Sequence, residues 1–236
     1  ASGNPERCLP YANTLRTLIP GSGHLVHMPS HTYINTGHYH EGVLANERAV
    51  QIDSQYIEAC QVAGVYPFGY YPHNWHFLTA CAALEGQSKK ALEASQFLAQ
   101  YIAEKGIMTQ PDRLFSQTLY STPWFIMVKF GMWDKILTEP KPNDTLLYPL
   151  AAWTYAQGMA LSATGKAQKA QECLSMLKKL ELDTTIAKIA LTDSSKAITI
   201  VSISKFVLEG DIAYRKGDLQ SAIVFLRKGV ELEDNL

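Results

Sequence analysis

The side chains in this sequence best equipped for chemistry are its histidines. All seven, His24, His27, His31, His38, His40, His73 and His76, lie between positions 24 and 76, and the rest of the 236-residue chain has none. Neutral imidazole is a borderline-soft nitrogen donor, so a histidine cluster suits a divalent ion such as zinc or copper. Spacing sorts the seven. His27 and His31 stand four apart in HMPSH, while His24 and His27 are three apart, as are His73 and His76. Residues three or four apart share one face of a helix, and an HxxxH pair can chelate one ion from that face. Pro29 is compatible with such a helix only in its first turn. HMPSH is not HExxH, because Met28 stands where a metalloprotease carries its catalytic Glu, so the hydrolase signal is weak. The same stretch holds Glu41, Glu47, Asp53 and Glu58 against Arg48. Its imidazoles therefore meet no strong cationic field.

Two other readings of the cluster stay open. The histidines could be hydrogen-bonded structural residues, or they could form a neutral patch for a peptide or small ligand. The neighbouring run VYPFGYYPHNWHFL supplies aromatic rings. Pro67 and Pro72 predict a stiff, extended loop leading into a helix that starts near Pro72. Trp75 and Phe77 suit packing between helices, whereas Tyr70 and Tyr71 could stack on a ligand. Elsewhere there is no Gly-rich phosphate loop and no GxSxG elbow. Cys60 and Cys81 could pair with a histidine as a nucleophile, but no third group orients them. No catalytic residue is assigned.

The elements that must position these side chains follow from a recurring phrase. Gly37, Gly86, Gly131, Gly165 and Gly217 each precede a helical pattern, with Gly42, Ala91, Ala170 and Ala222 five residues on in four of the five. Glycine ends one helix in a left-handed turn, and the small residue lets the next helix approach closely. Gly131 and Gly165 stand 34 residues apart, one helical-hairpin period. The interval from Gly37 to Gly86, 49 residues, also separates His24 from His73 and His27 from His76. ITIVSISKF is the one β-like stretch, and it runs straight into the last helical pattern. The fold class is all-α.

These residues resemble the tetratricopeptide repeat (TPR) family over nearly the whole chain. The match rests on Gly217 with Ala222, Gly210 and Ala213, on Gly37 with Tyr39, Ala49 and Asp53, and on Trp75, Gly86 and Ala91. It is weaker at Gly131, where Ile136 replaces the small residue and Pro123 interrupts the first helix. GHLVHMPSHTYINTGHYHEGVLANERAVQID followed by YYPHNWHFL is similar to a bacterial subgroup. The resemblance implies a right-handed α-solenoid of about five helical hairpins. It also implies one superhelical domain over residues 1–236, the C-terminal part of a longer protein, with PERCLPYANTLRTLIP the second helix of a hairpin. It places His24, His27, His31, His73 and His76 on the concave groove, where five imidazoles could converge as metal ligands, with His38 and His40 in the inter-helix turn. Tyr70, Tyr71 and Asn74 are the corresponding ligand-binding candidates. The family's carboxylate clamp for chaperone tails needs Lys, Arg and Asn in the groove. Only Asn74 is there, so that partner is not supported.

Composition bounds the function. Lys plus Arg total 21 against 22 Asp plus Glu, a net charge of −1, which is no footprint for nucleic acid or an anionic membrane. Hydrophobic residues at 47% and charged ones at 18% exclude a disordered chain. No apolar run is long enough to span a bilayer. Cys8, Cys60, Cys81 and Cys173 form no CxxC pair and read as free thiols, which favours the cytoplasm. The leading expectation is a TPR-type scaffold that holds a peptide, protein segment or small ligand in its groove. The alternative is a metalloprotein, possibly an enzyme, built on the histidines.

Overall fold

A computed structural model describes residues 3–61, 63–64, 66–191 and 195–236. The chain is all-helical, with no strand among the described residues and a lone antiparallel bridge, Ala190 with Lys196. Its contacts divide it after Tyr101 into two compact units. In the first, α1 (Leu9–Leu18), α2 (Gly23–His27) and α3 (Ser30–Asn35) precede the long α4 (Tyr39–Cys60). α5 (Tyr71–Glu85) follows, and the division falls within α6 (Ser88–Lys105). The second contains α7 (Ser116–Tyr120), α8 (Thr122–Lys129), α9 (Trp133–Thr138) and α10 (Leu147–Ala163). It ends with α11 (Ala167–Leu180), α12 (Ala197–Arg215) and α13 (Leu219–Glu233).

The five glycines of the repeated phrase do the work their type predicts. Gly37, Gly86, Gly131, Gly165 and Gly217 all have positive φ, between 63° and 89°. At each, the following residue donates its N–H to the carbonyl five residues back: His38 to Tyr33, Gln87 to Ala82, Met132 to Met127, Lys166 to Leu161 and Asp218 to Ala213, at 2.8–3.0 Å. That bond closes a helix end whose carbonyls would otherwise lack partners, and the backbone it needs favours glycine. Gly42, Ala91, Ala170 and Ala222 are all buried where the next helix begins. Ile136, which replaces the small residue at the weaker match, is fully buried too, and α9 is correspondingly short.

Two local expectations need correction. Tyr66–Tyr70 is not an extended loop: it winds as a single wide π-turn continuous with α5. Pro67 and Pro72 supply no N–H for helical bonding, yet both tolerate helical φ near the start of a helix. ITIVSISKF is helical, because α12 begins at Ala197.

In the first unit α4 is the spine, packed against α2, α3 and α5. Its inward stripe of Gly42, Val43, Ala45, Asn46, Ala49, Val50 and Asp53 is buried at helical spacing. Small residues bring the neighbours close: a Cβ on Gly42 would sit 2.6 Å from Cys81 Sγ on α5. Opposite, the Tyr33 hydroxyl donates to Asn13 Oδ1 at 2.7 Å and fixes α3 to α1. The second unit buries Tyr148, Leu150, Tyr155, Leu174, Leu177, Val201 and Leu208 between α10, α11 and α12.

Candidate metal centre

Two short helices and α5 bring the imidazoles together. α2 starts at Gly23, where any Cβ would overlap the Asp53 carboxylate and come within 2.7 Å of the Ala49 carbonyl oxygen. Glycine therefore lets α2 lie directly on α4. Pro29 lacks an N–H, so the helical bonding is interrupted between α2 and α3. Met28 and Pro29 nevertheless keep right-handed helical backbone, with φ of −48° and −55°. His31 therefore still follows His27 by about one turn. His73 comes from the first turn of α5.

Three nitrogens converge. His27 Nε2 lies 3.1 Å from His31 Nε2 and 3.0 Å from His73 Nε2. The His31 and His73 rings stand at 81° and 73° to the His27 ring. His27, His31 and His73 form a cluster that could hold a metal ion. Zinc bonded to nitrogen at about 2.0–2.1 Å in tetrahedral geometry sets its ligand atoms about 3.4 Å apart, so the two separations from His27 need only a few tenths of an ångström of opening.

The proton positions follow from the surroundings. Asn46 Nδ2 donates to the Gly42 carbonyl at 2.7 Å, which turns Asn46 Oδ1 toward His27 Nδ1, also at 2.7 Å. The amide oxygen accepts, so His27 Nδ1 carries the hydrogen and Nε2 presents its lone pair to the cluster. Such an outer hydrogen bond is how metal-binding histidines are oriented and made more basic. Ser30 Oγ lies 3.3 Å from the same Nδ1. With hydrogen bonds alone, His31 and His73 would compete for one His27 lone pair. A cation would engage all three nitrogens at once.

Burial keeps these rings neutral. Desolvation pushes His27 down to about 3, against the Asn46 hydrogen bond, with His73, His31 and His24 adding repulsion. His73 falls to about 4, chiefly by desolvation, then by repulsion from His31, His24 and His76. His31 is lowered by burial and by His24. Neutral imidazole is the form that ligates. Beneath the trio lies the Phe77 ring, with centroids 4.8 Å from His27, 4.4 Å from His31 and 4.7 Å from His73. His27 is fully buried and the other two are half-buried, so the cluster faces solvent on the His31 and His73 side.

The other anticipated residues are placed differently. His24 sits beside the trio, 5.6 Å from His27 and stacked on Tyr70 at 4.2 Å. Burial lowers its pKa, against the attraction of Asp53. Of the anticipated five, His76 does not join the three: it is exposed on α5. Three residues advance a helix by about 300° and four by about 400°, so the i+4 residue Phe77 follows His73 under the cluster. Tyr71 is buried among Trp75, Phe97 and Tyr101. Asn74 is buried and donates Nδ2 to Asp53 Oδ2 at 2.7 Å. The Tyr66 hydroxyl donates to Asp53 Oδ1 at 2.6 Å, and burial pushes the Asp53 carboxyl upward against both hydrogen bonds. His38 lies in the turn before α4, whereas His40, expected in that turn, stands in the first turn of α4 itself, where its Nδ1 is 2.8 Å from Glu85 Oε1.

Two contributors were not anticipated from sequence: Asn46, which orients His27, and Phe77, which floors the site. A signal existed for the first. Asn46 and Asp53 are polar residues on the apolar stripe of α4, and polar residues at core spacing need partners. Phe77 suits inter-helix packing by its type, and nothing in its spacing separates that role from lining a cluster.

No protein-family model matches this chain, and no curated protein matches it either. No helix among the described residues is long and apolar enough to cross a membrane.

Proposed function

We propose that this chain is a metalloprotein that binds one divalent transition-metal ion, zinc or copper, through Nε2 of His27, His31 and His73. The reading is carried by one observation: His27 Nε2 lies about 3 Å from both His31 Nε2 and His73 Nε2, so ligand nitrogens from two separate stretches of chain gather within 4.8 Å of one another. The Asn46 hydrogen bond and the Phe77 floor support it. Three ligands leave a coordination position for water or substrate, the arrangement that suits Lewis-acid chemistry. The scaffold is read as a right-handed α-solenoid type of fold, built of TPR-like hairpins. Five repeated glycine turns support that reading.

The test is metal analysis and calorimetric titration of tag-free protein. The native chain is expected to take up one zinc or copper per molecule. His27→Ala and His73→Ala should each abolish stoichiometric uptake, whereas His76→Ala should leave it intact. Equal, weak binding by the native chain and by His73→Ala would overturn the proposal.

A further inference from the structure

The three imidazoles of the cluster are not evenly placed. His27 is the middle one, with its Nε2 3.1 Å from His31 Nε2 and 3.0 Å from His73 Nε2. The His31 and His73 rings form the widest pair, with centroids 5.7 Å apart against 4.9 and 4.6 Å for the two pairs that include His27. The three ligand atoms all lie within 4.8 Å of one another. A tetrahedral ion calls for three equal separations of about 3.4 Å. Three ligands in the plane of a tetragonal ion, at bonds of about 2.0 Å, stand about 2.8, 2.8 and 4.0 Å apart instead. The two separations from His27 fall between these patterns, so the third pair decides. Two short separations and one long one are the planar pattern, with His27 in the middle.

The surroundings agree with that plane. The Phe77 ring is nearly equidistant from the three imidazoles, with centroids at 4.8, 4.4 and 4.7 Å. A hydrocarbon ring offers no donor, so it closes one axial position. In a planar set the fourth position lies opposite the middle ligand. His27 is fully buried, whereas His31 and His73 are half-buried, so the position opposite His27 opens to solvent between the two outer rings. His24 is stacked on Tyr70 at 4.2 Å and stands outside the group that could hold an ion. That group contains no carboxylate and no thiolate.

We infer that the ion held here is copper(II), with His27, His31 and His73 as three of its four in-plane ligands, and that a small anionic nitrogen or oxygen donor binds opposite His27. Tetragonal nitrogen sites suit copper(II), whereas zinc takes tetrahedral ones. Three neutral imidazoles leave the ion both of its positive charges, and an anion offsets charge that a half-buried site holds at a cost. This inference rests on the metal reading above and deepens it to the identity of the ion and the place and charge of its exogenous ligand.

The experiment loads the tag-free chain with one equivalent of copper(II) or of cobalt(II) and adds sodium azide as the probe anion. The copper form should give an axial electron paramagnetic resonance spectrum with a large parallel copper splitting and superhyperfine structure from three nitrogens. The cobalt form should show weak visible d–d bands. Azide should shift the copper spectrum and raise a charge-transfer band that saturates at one azide per copper. His76→Ala, outside the cluster, should leave every spectrum unchanged. Intense, tetrahedral-type cobalt bands with a compressed parallel copper splitting would overturn the inference and leave the metal reading standing. So would a copper spectrum that azide does not shift, or a nitrogen lost from the pattern in His76→Ala. If the native chain holds copper and cobalt no more tightly than His73→Ala, the metal reading itself fails and the inference falls with it.

Discussion

At the scale of single residues, Asn46 and the neutral rings decide whether the cluster can ligate. Asn46→Ala removes the acceptor that holds His27 in its Nδ1–H form. Outer partners of this kind are worth about 10–100-fold in metal affinity, so titration should show that loss with the stoichiometry unchanged. The pH profile follows from the lowered pKa values. Protons compete with metal only below the folded-state values, near 3 for His27 and 4 for His73. His31 is lowered by burial as well, so affinity should begin to fall at a lower pH than that of an ordinary imidazole site, which already weakens below about 6.5. Stability carries the same sign. In the unfolded chain these rings titrate near 6.5, so below that value the unfolded state binds more protons than the folded one. The stability their neutral burial allows is complete above about pH 6.5 and is lost progressively down to about 3–4. Metal-free protein should melt at falling temperatures across that window. His27→Phe should flatten the decline, while Asp53, whose raised pKa acts in the opposite sense, is common to both proteins.

At the scale of elements, two glycines with different physical roles separate the site from the scaffold. Gly23 gives α2 its place on α4. A methyl group there meets the Asp53 carboxylate, itself held by Tyr66 and Asn74, and the Ala49 carbonyl, neither of which can move freely. Gly23→Ala should cost about 1–3 kcal/mol in denaturant unfolding, as overpacking does, and should weaken metal binding by displacing His27. Gly165 has open space around it and a φ of 76°. Gly165→Ala should cost about 1 kcal/mol through backbone strain alone and leave metal binding unchanged. These turns were legible in the sequence because a helix end followed by a short turn is a local event, written in glycine and the small residue five places on. The π-turn at Tyr66–Tyr70 was not legible, since Pro67 and Pro72 favour an extended loop and a helix start almost equally.

At the scale of the whole molecule, metal binding is linked to folding. A ligand that binds only the folded chain at about 100 times its dissociation constant adds about 2.7 kcal/mol of stability. Saturating zinc or copper should raise the melting temperature of the native chain, and chelator should reverse the rise. His73→Ala should show neither effect in the same calorimetric scans.

What the amino-acid sequence determined by itself is the local part of this protein. Periodic apolar residues and the five glycines dictate an all-helical chain with tight turns, and the confinement of histidine to one stretch marks where its chemistry lies. Which histidines meet was decided only in three dimensions. His73 reaches His27 from 46 residues away, and a helix turns about 100° per residue, so one position decides whether a ring faces its partners or solvent. His73 falls on the facing side, and His76, three residues on, does not. Repeat spacing placed both pairs at matching positions, but side-chain direction depends on how α2 and α5 are rotated about their axes. The approach allowed at Gly23 and Gly42, and the hydrogen bond from His27 to Asn46 on α4, set that rotation.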